Sequence, residues 1–498
     1  MTRALLTMLL LAGCTDDKYL VVTVDARPAV HDASQLVVTL SNGGTSRMDT
    51  LPLGSHQFPV TFSVTAPGRS GDLGITVEAQ TADGISVGLG SATTTIGTTD
   101  ASVMLDTTDF VVNTDYAMDQ YLAFDYEANG LQLAASPDGH WTVGFRDSCN
   151  AGECTVFGRR FDATGAPAST VAAAGTNAFA FSSTLTQQGA MPAVAASGSS
   201  TLAFWDYSDT VGTGVGVACR ALDSAGNLTS GQLTVSTDAA DTVAAAHLSN
   251  ENIAVTWQVY SPAPAIRSVI VRPDCTPLGN VVTVSTTTGT LTGPHRAHAA
   301  SNSSTVLYAW VQDGDVHIRM GNNAQLTGID TTLITHTATQ DIEAVRVVPM
   351  GIGFGVIVRW ADVGSATPGP GKIELYQVNA TGMQVGVAHL ITDQSKGDFI
   401  SGEQSFGAAT NTGGTTMVVW HVCDDSGSAC DVFGRLLAAD GSMLTDAFIV
   451  PTTTDGNQTA PSVVALPDAF AVAWNDESHE APDQQGTAVR ARIFYPPN

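Results

Sequence analysis

Positive charge is the first scarcity in this chain. Its 498 residues hold 20 Lys and Arg against 47 Asp and Glu, a formal net charge of −27. A surface of that sign repels phosphate backbones and anionic headgroups, which argues against nucleic acid as a partner. Charge of either sign is sparse, at 13% of residues, yet 43% are hydrophobic, enough for a core, so the chain is not a disordered one. Helical periodicity is missing beyond the first 13 residues. Long apolar runs are missing too: the one at Ala4–Ala12 is far too short to span a bilayer. Recognised catalytic signatures are absent, with no GxSxG, HExxH, P-loop or Rossmann fingerprint. HEAPD (479–483) lacks the second His of a zinc site, and no CxxC or Cys/His cluster has ligand spacing. The sequence therefore predicts no enzyme, no catalytic residues and no metal site.

Val and Thr favour strands, and 49 Gly with Asn and Asp supply tight turns. The chain reads as all-β. At its start, Arg3 and the apolar run lead to Cys14, the pattern of a signal peptide. Leu11-Ala12-Gly13-Cys14 resembles the lipobox of bacterial lipoproteins. The resemblance implies removal of residues 1–13, lipid on Cys14 and a body held to the membrane by acyl chains. Thr15, not Asp, follows the cysteine, which in that family's sorting rule implies the outer membrane of the bacterial envelope, periplasmic or surface-exposed.

Six cysteines remain, an even number in an exported chain, and predict disulfides. Cys149 with Cys154, and Cys423 with Cys430, each bracket a short loop between strand-like runs, where a hairpin would bring the sulfurs together. Cys219 and Cys275 are left over, their pairing open.

ECTVFGRRFDATG (153–165) and ACDVFGRLLAADG (429–441) nearly repeat each other 276 positions apart. Apolar strands ending in an aromatic anchor recur between and around them, at Phe145, Trp205, Trp257, Trp310, Trp360, Trp420 and Trp474. The spacings are 60, 52, 53, 50, 60 and 54 residues, a period typical of repeat architectures. Each unit has a small-residue strand, the anchor strand, a polar loop, a third strand often carrying Arg (VFGR, VACR, VHIR, VRAR), a turn such as DATG or NATG, and a fourth strand. Four antiparallel strands seven times over resembles a seven-bladed β-propeller, as in blade repeats of bacterial extracellular proteins. The anchors would then fill the wedges between blades. SPDGHW (136–141) resembles a shortened Asp box of sialidase-type propellers, but occurs once and is read as a hairpin turn.

The predicted organisation is a signal peptide (1–13), an immunoglobulin-like β-sandwich spacer (19–106), a linker (107–118) and the propeller (119–498). No fourth strand follows AVRARIF (488–494), and QYLAFDYE (120–127) is expected to complete that last blade.

The loops after the anchor strands are acidic, with Asp147, Glu153, Asp206, Asp209, Asp313, Asp315, Asp424, Asp425, Asp431, Asp476, Glu477 and Glu480. Close oxygen ligands suit Ca²⁺, but no loop completes a calcium pattern, so a solvated acidic rim and no cofactor are expected. His247, His295 and His298 fall on innermost strands, where lining the axial channel to bind a metal or a ligand is the alternative to facing neighbouring strands or solvent. Their spacing matches no ligand set, so they are expected to face neighbouring strands or solvent. The functional expectation is a monomeric, lipid-anchored platform binding a protein or glycan on the propeller face. Its rival is a glycan-active hydrolase or lyase with carboxylates about 5–10 Å apart at the channel mouth.

Overall fold

The computed structural model describes residues 19–113, 119–122, 132–147, 155–168, 178–182, 187–189, 192–209, 215–229, 231–260, 263–286, 297–323, 325–362, 371–392, 405–423, 429–480 and 484–496. Every regular element among the described residues is a strand. The chain forms two compact units. One is built on residues up to Phe110 with 164–166 and 492–498, the other on Val111–Ala163 and Pro167–Ala491.

The first unit holds seven strands: β1 (Tyr19–Ala26), β2 (Gln35–Asn42), β3 (Thr45–Pro52), β4 (Val60–Thr65), β5 (Asp72–Gln80), β6 (Ser86–Thr95) and β7 (Asp100–Thr107). The expected two-sheet sandwich is not what they make. They form one continuous hydrogen-bonded path, β3-β2-β5-β6-β7-β1-β4, an open half-barrel around a single core. The reason lies in β6, which pairs with β5 along its length but with β7 at only two positions, Gly88↔Thr107 and Leu89↔Asp106. Glycines make this close approach feasible: a Cβ on Gly88 would lie 2.7 Å from Val30 Cγ1, and one on Gly90 2.2 Å from the Met104 carbonyl oxygen. Strict alternation of buried residues, as in Leu20, Val22 and Val24 of β1, turns one face of the sheet inward.

The second unit is a seven-bladed β-propeller. Seven sheets follow one another in chain order, each running from a first to a fourth antiparallel strand. Blade three shows the pattern: Ala240–His247, Ile253–Val259, Ala265–Val271 and Val282–Thr283. Its second strand is buried at all seven positions, because neighbouring blades cover both of its faces. SPDGH forms the plain hairpin between blade one's first and second strands, with Ser136 and His140 paired through the backbone at 2.8 Å.

All seven anchors are buried. Phe145, Trp205, Trp257, Trp310, Trp360 and Trp420 face, across the sheet, Phe157, Ala218, Arg267, His317, Lys372 and Phe433. Each tryptophan from blade two to blade six packs toward the blade before it. Trp257 shares a core with Val217 and Cys219 of blade two, and Trp420 one with Ile373 and Leu375 of blade five. A wedge this filled brings roughly 150–250 Å² of aromatic surface per tryptophan out of water.

The recurrent third-strand arginines reach backward in the same way. Arg220 donates to the carbonyls of Ala180 and Phe181, and Arg319 to those of Thr283 and Val284. Arg159 binds the carbonyl of Val112, and Arg435 that of Ile391. In each case the acceptor lies at or just beyond the end of the previous blade's fourth strand. Blade three has Val269 at this position, and there the disulfide Cys219–Cys275, with Cα atoms 5.8 Å apart, joins blades two and three. A second disulfide, Cys423–Cys430, links directly opposed residues of blade six. The candidate pair Cys149 and Cys154 lies outside the described residues. Two disulfides mark an extracytoplasmic protein. No helix among the described residues is long and apolar enough to cross a membrane.

The closing strand differs from expectation. The fourth strand of blade seven is Phe110–Val111, inside the stretch read as a linker. Val112, fully buried, donates its N–H to the Val489 carbonyl at 2.7 Å. Gln120–Tyr121 pairs with Asp147 and Arg146 of blade one, while the N–H groups of Gln120 and Leu122 donate to the Thr487 carbonyl and Asn475 Oδ1 of blade seven at 2.7 and 2.8 Å; 123–127 lies outside the described residues. Two residues suffice because fourth strands are short here: blade six ends on Phe448–Ile449, followed by buried Val450, whose N–H meets Val432.

Candidate functional site: the loop-bearing face

Antiparallel order puts the second-to-third-strand loops and the blade-to-blade connections on one face of the ring, and the tight turns on the other. Those acidic residues singled out by sequence that are described belong to the loop-bearing face. Glu153, Asp424 and Asp425 lie outside the described residues, while Asp147 and Asp209 end second strands.

Asp476, Glu477 and Asp315 each have a hydrogen-bond partner. Asp476 is buried against Arg490, with Nε at 2.9 Å, and accepts from Gln458. Glu477 accepts from Asn457 at 2.9 Å. Asp315 accepts from His336 at 2.7 Å. Among the described residues no three His, Cys, Asp or Glu side chains come together as a metal-holding group.

Asp431 has a different setting. It follows Cys430 at the start of blade six's third strand, opposite Val422, where the Cys423–Cys430 disulfide pins the two strand ends together. The Cys430 N–H donates to Asn457 Oδ1 at 3.1 Å, tying this corner to the connection that enters blade seven. Asp431 Oδ1 is buried without a hydrogen-bond partner. Burial pushes its carboxyl above the usual range. Nothing in the sequence separates Asp431 from the other acidic loop residues, because the signal is desolvation, which spacing does not carry.

The histidines divide. His247 lines a cavity of about 260 Å³ on the ring axis, walled by Ala134, Ala195, Ala245 and Ala408, and its Nε2 lies 3.3 Å from Glu251. His298 turns away from the axis. The Val347 N–H donates to its Nδ1 at 3.1 Å, stapling the innermost strands of blades four and five. Burial, with Arg346 nearby, lowers its pKa to about 3. His295 lies outside the described residues. His421, buried on blade six, is likewise lowered to about 3 by burial and Arg359.

No protein-family model matches the chain, and no curated protein does. Among solved structures it is similar to a protein of unknown function from Dyadobacter fermentans, at 9% identity and TM-score 0.45, over 78% of this chain and 98% of that one. It is also similar to a polysaccharide lyase of family PL25, an ulvan lyase, at 10% identity and TM-score 0.45, over 76% and 95%. A third is the NanB sialidase of Streptococcus pneumoniae, at 8% identity and TM-score 0.41, over 97% and 95%. These likenesses correct one expectation. Two of the three are named as a polysaccharide lyase and a sialidase, and the expectation of no enzyme, which rested only on missing motifs, does not stand.

Proposed function

We propose that this chain is an exported, glycan-active protein that engages a neutral polysaccharide on the loop-bearing face of its propeller, with Asp431 as proton donor. The setting of Asp431 supports this reading most. Its carboxyl is partly desolvated, has its proton affinity raised, and is fixed by a disulfide at the rim of that face. Cleavage of a glycosidic bond needs the leaving oxygen protonated, and a carboxylic acid that keeps its proton to higher pH suits that role. The substrate class comes from charge: at −27, the chain repels polyanionic glycans and leaves neutral ones unopposed.

The body from Thr15 to Asn498, incubated with neutral and polyanionic polysaccharides, is expected to release new reducing ends from a neutral polymer. Asp431→Asn should lower that rate by about 100-fold or more while leaving the melting temperature and ligand binding in place. Neither binding nor release with any polymer would sink the reading.

The envelope address belongs to the same proposal, with lipid on Cys14 and the outer membrane as destination. Metabolic labelling with a lipid analogue should mark the wild type and not Cys14→Ser; an unlabelled wild type overturns the anchor.

A further inference from the structure

We propose that the seam between blades four and five carries a proton-operated latch on the loop-bearing face, closed when His336 is protonated among the carboxylates of Asp315, Asp341 and Asp313. Three elements meet there. The Asp313–Gly314 turn joins the second strand (Thr305–Gln312) and third strand (Asp315–Asn322) of blade four. His336 lies on the connection that leaves blade four's fourth strand (Thr331–Ile334). Asp341 opens the first strand of blade five (Gln340–Met350).

His336 grips Asp315 twice: Nδ1–H donates to Oδ1 at 2.7 Å, and the backbone N–H donates to the same oxygen at 2.8 Å. Gly314 marks how tightly the rest closes in. A Cβ there would lie 3.1 Å from Asp341 Oδ1 and 3.3 Å from His336 Nδ1. Asp313 and Gly314 both take left-handed backbone conformations, with φ of 53° and 82°, which aims the turn at the connection. The Ile342 N–H reaches across the seam to the Gly314 carbonyl at 3.4 Å. Glu343, next along blade five, is engaged by Arg359 at 3.0 Å and supplies no free counter-charge.

The imidazolium is the only cation in this group of four. The Asp315 hydrogen bond, with Asp341 and Asp313 behind it, raises the His336 pKa above its ordinary value. The folded value exceeds the unfolded one, so the stabilisation is fully present below about pH 6.5 and is lost as pH rises through the folded pKa. Above it, three carboxylates face one another without a cation, and the turn is pushed off the seam. His298 staples the inner end of the same seam and has the opposite sign: it must stay neutral, and loses its bond on acidification. The seam is thus closed over a window of pH, with an inner histidine guarding the acid side and an outer one the alkaline side. This inference does not depend on the activity proposed above.

The test tracks His ring resonances and amide exchange in the exported body from pH 5 to 9.5, with exchange corrected for its intrinsic pH dependence. His336 is expected to titrate above 6.5, and Asp315→Asn to bring it down. Protection of the Asp315 and Ile342 amides should fall by about tenfold for each pH unit of that difference. His336→Gln should remove the pH dependence altogether, and serves if the Asp315 variant folds poorly. An ordinary titration midpoint that Asp315→Asn leaves unmoved, or amide protection indifferent to pH, overturns the latch.

Discussion

Arg435 is almost wholly buried, and its guanidinium ends on a backbone carbonyl of another blade. A charged group so placed is costly without a partner, and with one it fixes where two blades meet. Arg435→Gln is expected to lower stability by about 2 kcal/mol, read as a lower denaturant midpoint, with Arg272→Gln on the surface as the neutral control. Equal midpoints would mean that the clamp is ornamental. At this scale the sequence was readable wherever a residue type recurs in register. Anchors such as Trp205 and Trp420 stand out because a large aromatic closes each apolar run, and the arginines because they keep one position on the third strand. Single residues were not readable. His298 and His247 look alike in the chain, yet one is a neutral staple and the other lines a cavity.

Short strands hide more easily than long ones. Phe110-Val111-Val112-Asn113 has the same shape as Phe448-Ile449-Val450 and Val282-Thr283-Val284-Ser285: two strand residues, then a buried aliphatic whose N–H returns to the third strand. QYLAFDYE drew the eye because it is longer and alternates. Val112→Asp is therefore expected to destabilise the ring by about 3 kcal/mol or more, since it buries a charge without a partner, whereas Tyr121→Ala should cost much less. Thermal denaturation of both variants decides between the two candidate closing strands; a reversed order would restore 120–121 as the closure. The first unit was misjudged for a related reason. Its strands and alternation were legible, but the crossing from one sheet to the next rests on Gly88 and Gly90, where absent side chains let backbones touch, and strand patterns do not report that.

Across the whole molecule, stability is spread over inter-blade wedges joined by different chemistry. The Cys219–Cys275 bridge spans 56 residues of chain, and such a loop is worth about 4 kcal/mol in the unfolded state. Replacing both cysteines by Ala should lower the denaturant midpoint accordingly, and the native protein should offer neither sulfur to a thiol reagent; a reactive Cys219 or Cys275 would contradict the bridge. The tryptophans of blades two to six and the clamping arginines all point the same way, toward the blade already made. That gives the ring a direction of assembly. In a chain emerging amino end first, as exported chains do, every new blade meets a finished neighbour to dock on, and none has to wait for a later one. The joins of Val112 to Val489 and of Gln120 to Thr487 span the two ends of the process, so the ring stays an open arc with one exposed flank until its last blade arrives. The arc, rather than the closed ring, is the form that extracytoplasmic chaperones and proteases would meet.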